Sequence, residues 1–185
     1  MDSDPDNKLL SHFTRRRLEA EAIYDAMRST TNMIPRQPPG GPLDPDKSKD
    51  RAMYILANGR SPKGLGGEVR KMLALFDSDL SGRPAPVRPT SSTAAQSLFF
   101  MNNPLPKYLA DRFAERLLKM DKLDEPKRLE MAYLLALGRP PTEAMAKQAL
   151  SFLEQAQKDE GMTQQEAWSK LCQALYGTAE FRYVD

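Results

Sequence analysis

The 185-residue sequence has very few of the residues that build metal centres and nucleophilic sites. It contains one histidine, His12, and one cysteine, Cys172. An internal disulfide needs two cysteines, and a zinc site, a haem attachment motif or a histidine metal cage needs several such ligands, so none can form within this chain. With His12 as the only histidine, we also expect no Ser/His triad. We therefore predict no metal and no cofactor.

The β-branched aliphatic residues are scarce as well. Three isoleucines and three valines stand against 23 leucines, 20 alanines and 10 methionines. Leucine, alanine and methionine lose little rotamer freedom in a helix, whereas β-branched residues favour strands. This bias excludes an all-β sandwich or barrel and disfavours a parallel α/β sheet. The sequence predicts a mainly α fold.

The charge and hydropathy of the chain argue against several further classes of protein. The chain carries 27 basic and 25 acidic side chains, a net charge of +2 that is too balanced to indicate nucleic acid or an anionic membrane as partner. No apolar run approaches the ~18 residues of a membrane span. The N-terminus, with Asp2, Asp4 and Asp6, does not have the pattern of a signal peptide. Cys172 falls on an apolar helical stripe and is expected to be a buried small hydrophobe.

The two halves of the chain differ in their proline and glycine content. We nevertheless expect a single domain over residues 1–185. Residues 1–90 hold 10 of the 15 prolines and 7 of the 10 glycines, so we expect one helix there with a loop-rich arm. The helix is predicted at 9–28, a loop at 30–49, at most a short strand near 51–57 and a short helix at 68–76. Residues 91–185 form the predicted helical core, a bundle or an orthogonal array.

Local signals predict the helix boundaries in the second half. Caps and stops are formed by residues that satisfy the free backbone groups of a helix end. The predicted N-terminal caps are Ser91 or Ser92, Asn103 followed by Pro104, Asp124, Thr142 and the Thr163–Glu166 capping box. The predicted C-terminal stops are Gly138 and Gly177.

One face of the first predicted helix is charged. Arg17, Glu21, Asp25 and Arg28 recur at i, i+4, i+8 and i+11, with Glu19 nearby. These residues could form a carboxylate pair tuned by arginines, which binds a ligand or moves protons. They could equally form a solvated face with i,i+4 ion pairs. In either case we expect ion pairs, and partial cover by the proline-rich stretch.

A second polar stretch precedes a predicted helix N-terminus. It includes Arg88, Gln96 and Asn102, and its backbone N–H groups could bind an anion. Helix capping and loop closure explain the same residues without a ligand.

Several segments together resemble a known family. They are RRLEAEAI at 16–23, GGP at 40–42, LALFD at 73–77, PTSSTAAQSLFFMN at 89–102, LLALGRPPT at 134–142, WSKLCQAL at 168–175 and EFRYVD at 180–185. They look like the C-terminal part of the planctomycete-type domain of unknown function (PSD-one type) that follows a cytochrome-c-like region in large exported proteins.

The resemblance implies a helical accessory or interaction module that is not catalytic. It also implies an exported or periplasmic context, although the chain itself shows no signal peptide. The implied partner is another polypeptide or the N-terminal part of a larger domain, and self-association is possible. We then expect an exposed apolar patch, formed by Leu9, Leu10 and Phe13, or by Met53, Tyr54 and Leu56.

Two other functions remain open from the sequence. A glycan-active hydrolase or other enzyme could use Arg17, Glu19, Glu21 and Asp25, with two carboxyls ~5–5.5 Å apart for retention or ~6.5–9.5 Å for inversion. The other is nucleic-acid binding through residues 15–17, which comes third after the interaction module and the enzyme. Glu19 and Glu21 cancel much of the positive field of these residues.

Overall fold

A computed structural model describes residues 4, 7–9, 11–34, 51–54, 64–78, 91–159 and 161–184. Within these ranges the chain forms eight α-helices and one two-stranded sheet, which confirms the mainly α class. None of the helices in this described part is long and apolar enough to cross a membrane. The elements in chain order are β1 (Arg16–Arg17), α1 (Ala20–Thr30), α2 (Gly64–Leu75), α3 (Ala94–Asn102), α4 (Pro104–Leu118), α5 (Glu125–Leu137), α6 (Glu143–Lys158), α7 (Gln164–Gly177), α8 (Ala179–Arg182) and β2 (Tyr183–Val184).

The predicted helix boundaries of the second half are confirmed at their caps. The Asn103 side chain accepts a hydrogen bond from the Leu105 backbone N–H at 2.9 Å, with Pro104 at the first helical position. Gly138 ends α5 with a φ of 73°, a left-handed conformation that favours glycine. The Thr163–Glu166 capping box is formed. The cap of α3 differs from the prediction, because Thr93 takes that position instead of Ser91 or Ser92.

The predictions for the first half need three corrections. The first helix begins at Ala20, not at residue 9, because residues 16–17 pair with the C-terminal strand. The helix α2 begins at Gly64, four residues before the start of the short helix predicted at 68–76. In the segment predicted as a strand, Ala52–Tyr54 form a single 3-10 turn, since the Asp25 carboxylate accepts the Ala52 N–H at 2.7 Å. The proline-rich stretch at 35–49 lies outside the described residues.

The core draws on both halves of the chain. Helix α4 packs most extensively against α7, and buried residues from α1, α2 and α8 join the same apolar cluster. Trp168, Tyr176 and Phe113 are fully buried, and burial of an apolar side chain such as that of Phe113 stabilises the fold by about 1.5–3 kcal/mol. Phe76, just after α2, meets Phe99 and Phe100 of α3 edge to face, with centroids 6.0 and 5.7 Å away. These contacts hold the end of α2 against the inner side of α3.

Candidate functional site

The side chain of Arg17 is buried at the junction of β1, α2 and α3. Strand β1 carries it there, because Arg17 pairs with Tyr183 of β2 in the antiparallel register. Its guanidinium Nη1 donates to the Ser91 carbonyl at 2.5 Å, and Nη2 donates to the Phe76 carbonyl at 3.2 Å. Nη2 also forms an ion pair with Asp77 at 2.7 Å, and only 7% of the Arg17 side chain is exposed.

Asp77 is the anionic centre of this junction. It follows α2 in a left-handed conformation with a φ of 64°, which aspartate and asparagine tolerate better than most residues. Its carboxylate accepts the backbone N–H of Ser91 at 2.7 Å and the Ser91 hydroxyl at 2.9 Å. Burial by itself would raise the pKa of Asp77, but the hydrogen bonds from Ser91 and Arg17 outweigh it and lower the pKa below its ordinary value.

Gln96 completes the junction from the first turn of α3. It is 2% exposed, and its amide nitrogen donates to the Leu75 carbonyl and to the Ser91 hydroxyl, both at 3.0 Å. Its amide oxygen accepts the Thr93 N–H at 3.3 Å as part of the α3 capping box. We call Arg17, Asp77, Ser91 and Gln96 the polar junction. The bonds of Arg17, those between Asp77 and Ser91, and the bond from Gln96 to Leu75 join segments that are distant in the sequence.

The two carboxylates predicted to act as a pair have separate structural partners. Glu21 accepts a hydrogen bond from the Ser78 hydroxyl at 2.7 Å. Asp25 accepts the Ala52 N–H and forms an ion pair with Arg51 at 2.9 Å. Both carboxylates thereby attach α1 to later segments of the chain.

The expectation that the charged face makes ion pairs is confirmed for Arg17 and Asp25, but their partners lie outside α1. The i,i+4 argument fails for Arg17, because this residue belongs to a strand. Arg28 is buried and donates to the Met33 carbonyl at 3.0 Å, at the beginning of the predicted 30–49 loop. Glu19 is exposed at the N-terminal boundary of α1.

The second predicted polar stretch is only partly joined to this site. Gln96 lies in the polar junction, whereas Asn102 is exposed at the last residue of α3, about 9 Å further along the helix axis. Arg88 lies outside the described residues. The role of these residues in binding stays a prediction.

Asp77 was not among the predicted site residues, and Ser91 was predicted as a helix cap within the polar stretch before α3. Both belong to segments that carried the family resemblance, at 73–77 and 89–102. The signal that could have identified them is the presence of one short acidic and one short hydroxyl residue in loops next to helix ends. Among the residues that the structure describes, no group of histidine, cysteine, aspartate and glutamate side chains could hold a metal ion.

Among the described residues, the large apolar side chains that are more than half exposed lie in two regions. Leu9 is 80% exposed and Phe13 54% exposed, as expected for these two members of the predicted N-terminal patch, whereas Leu10 lies outside the described residues. Of the second predicted patch, Tyr54 is half-buried, while Leu56 and the side chain of Met53 lie outside what the structure describes. On α3, Leu98 is 52% exposed and Met101 69% exposed, a surface that sequence analysis did not single out.

Comparison with known proteins gives a family and no function. The profile of PSD1, described as a protein of unknown function (DUF1553), matches residues 1–153. The match therefore begins before β1 and ends within α6. No curated protein and no solved structure matches the chain.

Proposed function

Since the chain belongs to the PSD1 (DUF1553) family, whose function is unknown, we propose from its surface that it is a non-catalytic helical module that docks on another polypeptide. The observation that carries this proposal is the outer face of α3. Ala94, Ala95, Leu98 and Met101 stand at i, i+1, i+4 and i+7 and are all exposed. We call these four residues the α3 outer face.

The α3 outer face is unusual because the helix is apolar on both sides. Phe99 and Phe100 are buried on the inner side, while Leu98 and Met101 face water on the other. A helix on the surface of a globular protein normally has a polar outer face. Single exposed apolar residues are common, but a contiguous apolar face is typical of an interaction site.

A groove beside Met101 extends this surface towards α7. It has a volume of about 490 Å³, and its walls include Phe100, Met101, Ala174 and Gly177. Gln173 also lines the groove and donates to the carbonyls of Phe100 and Met101, both at 2.9 Å. Lys170 and Ser97 supply polar groups at its walls. An apolar floor with a few polar groups suits an amphipathic polypeptide segment, whose apolar side chains would fill the groove.

The family resemblance supplies the context of the proposal. It implies an accessory role in an exported, cytochrome-c-associated protein, where the partner is another polypeptide or another part of the same domain. Self-association through the same face is the alternative within this class. The enzyme alternative receives no support from the contacts, because Glu21 and Asp25 each bind a structural partner in preference to each other.

Site-specific photo-crosslinking tests the proposal. A photoreactive amino acid is placed at position 98 or 101 of the chain, and in matched variants at position 143 or 148 of α6, which are also exposed. Crosslinking is carried out in cells of the source organism, and the partner is identified and purified. Positions 98 and 101 are expected to crosslink one defined polypeptide, whereas the α6 positions are not.

Binding of the purified partner then gives the decisive comparison. Replacing a central apolar contact residue by a charged one costs affinity by desolvation, so Leu98→Asp is expected to weaken binding by at least about tenfold. Gln148→Asp on α6 is the control and should bind as the unmodified chain does. Equal crosslinking at both helices, or full binding by the Leu98→Asp variant, would refute the proposal.

A further inference from the structure

The groove between α3 and α7 carries a positive charge that its own walls do not neutralise. Among the described residues that form these walls, Lys170 is the only charged one. Lys170 is exposed and makes no hydrogen bond or ion pair within the part of the chain that the structure describes. Its ammonium group is therefore available to a partner at one end of the groove.

A second cation, Arg182, borders the other end of the same groove. Its guanidinium stacks on the Phe100 ring at 5.6 Å and donates to the Ser97 hydroxyl at 3.1 Å. It also donates to the Thr178 carbonyl at 3.3 Å, just after the end of α7. Phe100, Ser97 and Thr178 all line the groove. These contacts fix the guanidinium beside the groove, and none of them is made to a carboxylate.

The acidic residues nearest in sequence to the two cations are bound to other groups. Glu166, one turn before Lys170 on α7, accepts the Thr163 N–H and the Thr163 hydroxyl in the capping box, both at 2.8 Å. Glu180 forms an ion pair with Arg139. Helix α3, on the opposite wall, contains no charged residue. The groove therefore combines an apolar floor with a positively charged rim.

The two cations are separated by about two helical turns along α7. Arg182 lies beside Gly177, whose carbonyl accepts its Nη2 at 3.5 Å. Gly177 follows Lys170 by seven residues, which corresponds to about 10 Å along the helix axis. In an amphipathic helix, residues at i and i+7 stand on one face at the same spacing.

We propose that the segment that docks in this groove is acidic. It is an amphipathic helix whose apolar face fills the groove and whose carboxylates, about two turns apart, meet Lys170 and Arg182. This inference rests on the docking role proposed above and adds the charge of the partner to it.

The charge of the rim acts mainly on the choice of partner. Electrostatic complementarity contributes more to specificity and to the association rate than to affinity. Each partly exposed ion pair strengthens binding by up to about fivefold. The same two cations repel a basic segment. Segments with identical apolar faces are therefore expected to be distinguished by their charge.

Binding of synthetic peptides to the purified full chain tests this expectation. The probes are three fluorescent amphipathic helices of about 20 residues with the same leucine face. They differ only at one i,i+7 pair, which is two glutamates, two glutamines or two lysines. Fluorescence anisotropy is expected to show that the glutamate probe binds at least about tenfold more tightly than the lysine probe at low ionic strength. This ratio should fall as salt is added, because salt screens exposed charges.

Charge reversal at Lys170 gives the most direct comparison. Lys170→Glu changes an exposed side chain and is expected to weaken binding of the glutamate probe by about tenfold and to strengthen that of the lysine probe. Arg182 is left unchanged because it also holds the end of α7. The matched control is Lys147→Glu on α6, since Lys147 is exposed, has no ion pair in the described part of the chain and gives the same change in net charge. This variant should bind all three probes as the unmodified chain does.

Equal binding of the three probes, no saturable binding of any of them, or an unchanged preference in the Lys170→Glu variant would overturn this proposal. The docking role is judged separately, by crosslinking from positions 98 and 101 and by Leu98→Asp, and it stands or falls independently of these results. Decanoate is a fourth probe, because it joins an apolar chain to one carboxylate. Saturable binding of decanoate without binding of the glutamate probe would assign the groove to a small amphiphile and refute an acidic polypeptide.

Discussion

The polar junction makes a quantitative prediction through Asp77→Asn. Asparagine is nearly isosteric and tolerates the left-handed backbone at this position, so the substitution removes the charge without adding strain. The amide oxygen can still accept the Ser91 N–H. In this variant the Arg17 guanidinium still donates hydrogen bonds to the Ser91 and Phe76 carbonyls. It loses its counter-ion, however, while only 7% of its side chain is exposed.

The expected loss in the free energy of unfolding follows from the burial of the Arg17–Asp77 ion pair. Removing one partner of a fully buried ion pair costs about 3–5 kcal/mol, and a hydrogen bond to a charged group contributes about 1.5–3 kcal/mol. The Asp77 side chain is 17% exposed and Arg17 retains two carbonyl acceptors, which place the effect near the lower limits. We expect Asp77→Asn to lower the free energy of unfolding by about 2–3 kcal/mol.

Urea denaturation at pH 7 measures this difference. The control is Glu115→Gln, which breaks the exposed Arg112–Glu115 pair and should cost less than about 0.5 kcal/mol. A double-mutant cycle with Arg17→Met should show that the two losses are not additive, because both variants remove the same interaction.

The pH dependence gives a second check on the same variant. The folded-state pKa of Asp77 is lowered, so its contribution is complete above the unfolded-state pKa of about 3.9 and is lost as the pH falls through the lower folded-state value. The difference between the two proteins should therefore shrink in acid. A destabilisation no larger than that of Glu115→Gln, or a difference that stays constant into acid, would refute the role assigned to the junction.

Three other predictions concern single residues. Tyr176→Phe removes the buried hydroxyl that lies 2.5 Å from the Thr30 hydroxyl, and urea denaturation should show a loss of about 1 kcal/mol; an unchanged midpoint would contradict this contact between α1 and α7. Gly138→Ala should destabilise by about 1 kcal/mol because of its φ of 73°, whereas Gly177→Ala, in a helical position with nothing within 4 Å of the new methyl group, should stabilise by up to about 1 kcal/mol. If Gly138→Ala and Gly177→Ala shifted the thermal midpoint in the same direction and by the same amount, backbone conformation would not explain the change in stability. Cys172 is buried and burial raises its pKa, so a thiol reagent should label it only in denaturant; rapid labelling of the native protein would disprove its burial.

Helix boundaries in the second half were predictable because their causes are local. Asn103, Gly138 and the Thr163–Glu166 capping box act within one or two turns of the backbone they terminate. The apolar spacing of the same segments places Leu109, Phe113 and Leu117 in the core as expected. The prediction of a mainly α fold rests on the same short-range information.

The first half was less predictable, because its structure depends on partners far away in the sequence. The charge spacing of Arg17, Glu21 and Asp25 predicted a helix face, yet Arg17 pairs with the C-terminal strand and Glu21 binds Ser78. A spacing rule describes neighbours on one element and contains nothing about strand pairing between the two ends of a chain.

Composition and local pattern thus determined the helical class, the helix ends and the apolar stripes, since each depends on residues within a few positions of one another. Only the tertiary structure decided that Arg17, Asp77, Ser91 and Gln96 form one junction. Arg17 contacts Asp77 and Ser91, and Gln96 contacts the Leu75 carbonyl, only when β1, the end of α2 and the start of α3 meet. The exposure of Leu98 and Met101 was decided in the same way. An apolar helix can bury only the side that its neighbours cover, and packing against α2, α4 and α7 leaves the α3 outer face in water.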